Sequence, residues 1–277
     1  LHFGADAVYL AGAQFGMRAG AENFTPDGIR AAVQLAHAQG AAVHVTCNTL
    51  PRDDEMAQLP AYLELLDDAG VDAIIAADLG VITLAKRYAP HVALHVSTQF
   101  GVVNSAAAAA LYDLGAQRVV LARELSLAEI AAIRAHTPPE LELEAFVHGA
   151  MCVSFSGRCL LSNYLTGRDA NRGRCAQPCR QSYGYTHWQE KYPLSLKDNC
   201  LIPYLRELQD TSIGQLQIIS PYRTDGEASS NGLNVLIRET VNPHTEKIPE
   251  LAFGERIFRL HDRVMQTKNN YSLEGYD

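Results

Sequence analysis

Four times in the first half of the chain a glycine is followed at once by a short apolar run: Gly4 before ADAVYL, Gly40 before AAVHV, Gly70 before VDAII and Gly115 before AQRVVL. Runs so short and apolar fit buried parallel strands, and a glycine just past a helix supplies the left-handed residue that ends it. The pattern predicts strands near 7–11, 42–48, 73–77, 93–98, 118–122 and 141–148. Between them, helical periodicity with recognisable starts predicts helices near 26–39, 54–69, 79–88, 104–114 and 126–136. Thr25-Pro26 sets proline at a first helical position, Asn104 opens an alanine-rich helix, and Ser126 with Glu129 forms a capping box.

Strands and helices that alternate in this way imply a parallel sheet with right-handed crossovers. Six strands without a glycine-rich phosphate loop favour an α/β protein of the incomplete (β/α)8 TIM-like barrel type over a doubly wound sheet. In a barrel the chemistry gathers at the carboxyl ends of the strands. Those ends carry Asn48, Asp78, Ser97 with Gln99, Arg123 with Glu124, and His148. Asp78 reads first as the cap of the next helix, and Arg123 with Glu124 reads equally as an ion pair. Polar residues on one rim at successive strands nevertheless argue for a shared pocket. Cys47 falls inside an apolar strand and reads as core; His44 and His95 fall mid-strand and receive no role.

Composition bounds the picture. The 277 residues are 47% hydrophobic and 19% charged, enough for a full core in one or two domains. A formal charge of -8 argues against a surface coated in nucleic acid while leaving room for a local basic site. No apolar run of membrane-spanning length and no secretory leader is visible, so a cytoplasmic protein without membrane association is expected. The chain opens on Leu1 rather than Met, in what reads as the tail of a helix, so a preceding segment is expected.

Residues 144–180, EAFVHGAMCVSFSGRCLLSNYLTGRDANRGRCAQPCR, hold four of the six cysteines as C-x6-C-x15-C-x3-C: Cys152, Cys159, Cys175 and Cys179. Buried free thiols, two disulfides, a zinc site and an iron-sulfur cluster are all open on spacing alone. The x6 gap exceeds that of a zinc knuckle and shifts the balance toward a cluster. Arg158, Arg168, Arg172, Arg174 and Arg180 crowd the same stretch, and guanidinium forks suit phosphate and carboxylate.

GADAVYLAG near the start, VTCNT at 45–49, STQ at 97–99, VVLARELSLAEI at 119–130 and the whole cysteine segment resemble the peptidase U32 family over about residues 1–210. The resemblance implies two activities that disagree. Family members were called collagenase-like proteases. Similar bacterial proteins hydroxylate RNA pyrimidines without oxygen, in tRNA or 23S rRNA, with prephenate implicated as hydroxyl donor. The residues side with RNA hydroxylation, since neither an HExxH motif nor a GxSxG elbow occurs. On this reading Cys152, Cys159, Cys175 and Cys179 hold a [4Fe-4S] cluster, with zinc as the alternative. Arg123, Arg158 and Arg172, with Asn48 and Gln99, receive RNA or a small dicarboxylate co-substrate. His148 and Glu124 move protons. Cys200 is a spare thiol outside the pattern.

After SLKDNCLIPYLRELQD the sequence departs from the expected family continuation. QIISPYR, GLNVLIRETVNP and FRLHDRVMQTKNNY resemble pieces of a RecD-like superfamily 1 DNA helicase over about 213–277. No Walker phosphate loop accompanies them, so no ATP binding is expected. The expected organisation is a truncated barrel over 1–150, a cysteine-rich segment over 151–212 and a small unrelated α/β fragment over 213–277. That division leaves a nonfunctional chimera or a nucleic-acid-binding fusion as a third reading, and Leu216 to Ser220 as a strand that could fill the gap in the barrel.

Overall fold

The computed structural model describes residues 5–184, 191–204, 207, 250–253 and 256–259. Its centre is a parallel sheet of six strands: β1 (Ala7–Ala11), β2 (Ala42–Cys47), β3 (Ala73–Ala76), β4 (Ala93–Val96), β5 (Arg118–Val120) and β6 (Glu142–Glu144). They lie side by side in chain order. A doubly wound sheet reverses direction at a switch point; a barrel wall does not, so the order agrees with the barrel expectation. Closure of that wall lies outside the described residues.

Helices α1 (Pro26–His37), α2 (Asp53–Met56), α3 (Leu59–Asp68), α4 (Leu79–Tyr88), α5 (Ser105–Asp113) and α6 (Leu127–Ala135) fill the crossovers. Their starts follow from capping chemistry. Thr25 accepts from the Gly28 N–H, Asn104 from Ala107, and Asp78 from both Gly80 and Val81, which gives Asp78 the capping duty the sequence suggested. Ser126 and Glu129 close the expected box.

Two expected elements are interrupted. The helix expected over 54–69 is divided between α2 and α3. Pro60 cannot donate to the carbonyl four residues back, and its ring suits only a first helical turn, so the helix restarts at Leu59. The strand expected over 141–148 leaves the sheet after Glu144, because β5 offers only three residues to pair with. Beyond them the Leu121 carbonyl accepts the Thr98 hydroxyl at 2.9 Å. His148–Gly149 (β7) then pairs antiparallel with Asn199–Cys200 (β8).

Alternation decides which side chains see the helices. Val43, Val45 and Cys47 of β2 are fully buried in one core with Ile29, Val33, Leu59, Leu63 and Leu66. Burial pushes the Cys47 thiol up to about 12, so it behaves as an apolar group, as expected. The opposite face is polar. His44 and His95 meet edge to face with ring centroids 4.8 Å apart, and His95, Arg118 and Glu142 stand in register on neighbouring strands. Arg118 bonds Glu142 at 2.6 Å and lies 3.5 Å from Glu144. Burial first, then the Arg118 charge, depresses both histidines, His95 to about 3, so they are neutral near pH 7. A cavity of about 360 Å³ opens on this face at the amino ends of the strands, away from the residues described next.

A helix α7 (Leu161–Thr166) lies within the cysteine-rich segment. Glu250–Phe253 (β9) and Arg256–Arg259 (β10) form an antiparallel pair within the span expected from sequence to be a separate fragment. The remainder of that span, Leu216 to Ser220 included, lies outside the described residues. Among the described residues no helix is long and apolar enough to cross a membrane.

Candidate functional site at the carboxyl rim of the sheet

The cysteine-rich segment lies across the carboxyl ends of the strands and is tied to the loops after four of them. After β5, both oxygens of Glu124 accept from Ser156, from its N–H at 2.7 Å and its hydroxyl at 3.0 Å. After β4, the carbonyls of Gln99 and Phe100 accept from the Arg158 guanidinium at 3.0 and 3.2 Å. After β2, the Leu50 N–H donates to the Asn171 carbonyl, Arg172 pairs with Glu55 at 2.7 Å, and Arg52 lies 3.5 Å from Asp169. After β1, the Ala19 N–H donates to the Gly173 carbonyl at 3.1 Å.

The last contact explains a glycine. Gly173 has φ +78, and a Cβ there would stand 2.6 Å from the Gly16 carbonyl oxygen and 3.0 Å from the Met17 backbone. Only a residue without a side chain allows so close an approach. The segment stores a second unusual conformation at Ser156, which is fully buried at φ 46, a region where a side chain costs energy. Two hydrogen bonds to one carboxylate hold it there.

The residues singled out by sequence fall into two groups. Gln99, Glu124 and Arg158 meet around Ser156, where the Gln99 side chain also lies against Gly157. Asn48 and Arg172 belong to the β2 side: Asn48 accepts the Met17 N–H at 3.2 Å. Arg123 donates to the Ala150 carbonyl at 3.1 Å and covers the Phe146 ring; among the described residues it makes no ion pair with Glu124. Hydrogen bonding to Glu55 holds the Arg172 guanidinium more firmly protonated, and the same contact outweighs burial to keep Glu55 below its usual range. His148 is 2% exposed, and neither ring nitrogen has a hydrogen-bond partner among the described residues. An orphaned buried imidazole beside the start of the cysteine segment calls for an explanation beyond packing.

All four cysteines are free thiols. The Cys159 sulfur accepts the Leu161 N–H at 3.3 Å and the Cys175 sulfur accepts the Gln177 N–H at 3.4 Å. Burial pushes Cys159 up, but hydrogen bonds from Ser154, Leu161 and Ser162 outweigh it and bring the thiol below its ordinary value. Cys179 is raised, first by burial and then by the charge of Cys152, with Cys175 adding to the effect. Thiols whose charges repel, and sulfurs that accept backbone N–H groups, have the donor chemistry of a cluster or zinc site. As placed, no three Cys, His, Asp or Glu side chains among the described residues stand close enough together to hold a metal ion.

Ser156, Asn171 and Gly173 were not foreseen as rim residues. Asn171 brackets Cys159, accepting its N–H at 3.3 Å and donating to its carbonyl at 3.2 Å. The clue available was Gly173 itself, since close backbone approach is one of the uses of a loop glycine. Nothing in the sequence marks Ser156.

Fold and site together define a sequentially wound parallel α/β protein whose strand ends are covered by a thiol-rich segment. The model of peptidase family U32 matches residues 1–239, and the chain belongs to that family. The match runs past residue 210 into the first part of the span, 213–277, expected from sequence to be unrelated to this family. Among curated relatives, the tRNA hydroxylation protein P1 of Bacillus subtilis is 39% identical over 230 residues, covering 79% of this chain and 54% of that protein. The 23S rRNA 5-hydroxycytidine synthase of Escherichia coli K12 is 41% identical over 226 residues, covering 79% of this chain and 34% of that protein. A protein named collagenase from Porphyromonas gingivalis is 30% identical over 233 residues, covering 78% and 56%. The chain thus spans between about a third and about half of the length of these relatives.

Proposed function

We propose that this chain is part of an RNA-modifying enzyme that places a hydroxyl group on a pyrimidine of tRNA or rRNA. The observation that carries the reading is the attachment of the thiol-rich segment across the strand ends, where barrel enzymes do their chemistry. Relatives named for RNA hydroxylation support it. Cys152, Cys159, Cys175 and Cys179 would hold a [4Fe-4S] cluster, and zinc is the alternative for the same donors. When bound, the cluster supplies one-electron transfer.

The chain's own residues then divide the work. His148, whose ring nitrogens have no partner among the described residues, would give or take the proton at the reacting base. Glu124 was expected to share that task, but both its oxygens serve Ser156, so its part is to fix the cysteine loop on the rim. Arg123 keeps guanidinium N–H groups beyond the one bonded to Ala150 for a dicarboxylate donor such as prephenate. Arg158 and Arg172 act as fasteners through Gln99, Phe100 and Glu55.

Two measurements test the reading. Anaerobically purified protein is expected to contain iron and acid-labile sulfide, and RNA from cells lacking the gene is expected to lose a 5-hydroxypyrimidine. Folded protein without either element, together with unchanged RNA, would remove it. Hydrolysis stays as a second reading because Cys200 stands opposite His148 in the β7–β8 pair and one relative is named collagenase. Digestion of casein or collagen that disappears in Cys200→Ala would favour it.

A further inference from the structure

The arginines of the rim do not all have the same circumstances. Arg172 is matched to Glu55 and Arg52 to Asp169. Arg158 and Arg180 are taken up by backbone carbonyls, and Arg180 also by the Ser195 hydroxyl. Arg18 and Arg174 are different: both are exposed, and among the described residues neither side chain makes a hydrogen bond or an ion pair. Arg168, also exposed, donates only through Nε, to the Arg174 carbonyl at 3.1 Å.

Arg168 and Arg174 lie in one loop, and Arg18, far away in sequence, is brought to that loop by the close backbone approach at Gly173. The backbone of residues 16–19 presses on Gly173, which brings the chain at Arg18 close to the chain at Arg174, and the Arg168 side chain is tied to the Arg174 carbonyl. The acidic group nearest in the segment, Asp169, is already occupied by the Asn171 N–H and Arg52. Three exposed guanidinium groups without an ion-pair partner among the described residues, on neighbouring backbone in a chain with net charge -8, make a local positive patch that a polyanion would match.

We propose that Arg18, Arg168 and Arg174 form a docking patch for the phosphate backbone of RNA, at the β1 side of the rim. The proposal rests on the RNA-modification reading above and gives it a surface. Phosphate contacts set register and orientation and carry no sequence information. The patch therefore holds the RNA while other rim residues select the base. Arg172, neutralised by Glu55, is not part of it.

The test is binding of the full 277-residue chain to bulk bacterial tRNA, followed by fluorescence anisotropy over a range of salt concentrations, for the native chain and for Arg18→Gln, Arg168→Gln, Arg174→Gln and the triple variant. Arg87→Gln, on α4 over Tyr88, is the control, and thermal melts check that each variant folds. Each patch substitution is expected to lower the slope of log affinity against log salt by about 1, and the triple variant by about 3, with the control unchanged. If the native chain binds RNA and the triple variant keeps the same slope, the patch is wrong and the RNA reading stands. If the native chain shows no salt-dependent RNA binding and the gene deletion leaves 5-hydroxypyrimidines intact, both fail together.

Discussion

Glu124, at the end of the fifth strand, holds Ser156 of the cysteine segment through both of its carboxylate oxygens, at 2.7 and 3.0 Å. The pair joins the scaffold to the segment that carries the thiols, and it does so at a residue in left-handed backbone. A buried N–H that loses a charged acceptor costs about 1–3 kcal/mol. Glu124→Ala is therefore expected to destabilise the chain by that amount, and Glu124→Gln, which keeps one acceptor, by less. Urea unfolding measures the difference; equal effects of the two variants would show that the clamp does not hold the segment.

Gly173→Ala should be more damaging than an ordinary surface change. A side chain in left-handed backbone costs about 1–2 kcal/mol, and here the new methyl also meets the Gly16 carbonyl. The expected outcome is a lower melting temperature together with faster proteolysis between residues 151 and 184, while Gly167→Ala, where a Cβ meets nothing within 4 Å, pays only the backbone term. Identical losses in the two variants would mean that the close approach to residues 16–19 is not made in solution.

Removal of a bound metal should leave the sheet standing. The segment is attached by Ser156 to Glu124, Arg172 to Glu55 and Asn171 to Leu50, none of which needs a metal. If the proposed cluster is bound, oxidation and chelation that strip iron are expected to abolish its visible absorption and to leave far-ultraviolet circular dichroism and a cooperative melt nearly unchanged. Collapse of the sheet signal with loss of iron would show that the metal, and not these contacts, organises the rim.

The polar inner face predicts how stability changes in acid. His44 and His95 titrate below their ordinary value of 6.5, His95 at about 3, so the unfolded chain binds protons first as pH falls. Their contribution is complete above about 6.5 and is lost progressively down to about 3. Glu144, raised above 4.5 chiefly by burial, works in the opposite sense: its contribution is complete below 4.5 and is lost as pH rises through its folded value. Stability should therefore fall on acidification below 6.5, and His95→Gln should flatten that fall. Melts at pH 7.5, 6 and 5 that keep the same slope in this variant would refute the assignment.

The sequence by itself determined the order of the six parallel strands and the helices between them, though not the break before Pro60 or the end of β6 at Glu144. Short apolar runs after glycine admit one kind of element, and side chains such as Thr25, Asp78 and Ser126 begin helices through hydrogen bonds to their own neighbours. It also marked the four cysteines, because their clustering is visible along the chain. Only the tertiary structure decided which arginines are free. Arg172 and Arg174 are two residues apart, yet one pairs with Glu55 and the other pairs with no carboxylate among the described residues, and that depends on which loop each meets across the rim. It likewise made Glu124 a fastener, gave His44 and His95 a shared place on the polar face of the sheet, and brought the backbone of residues 16–19 against Gly173. Local hydrogen bonds and periodicity are written in adjacent residues; the charge balance of a surface is a sum over residues that come together only when the chain has folded.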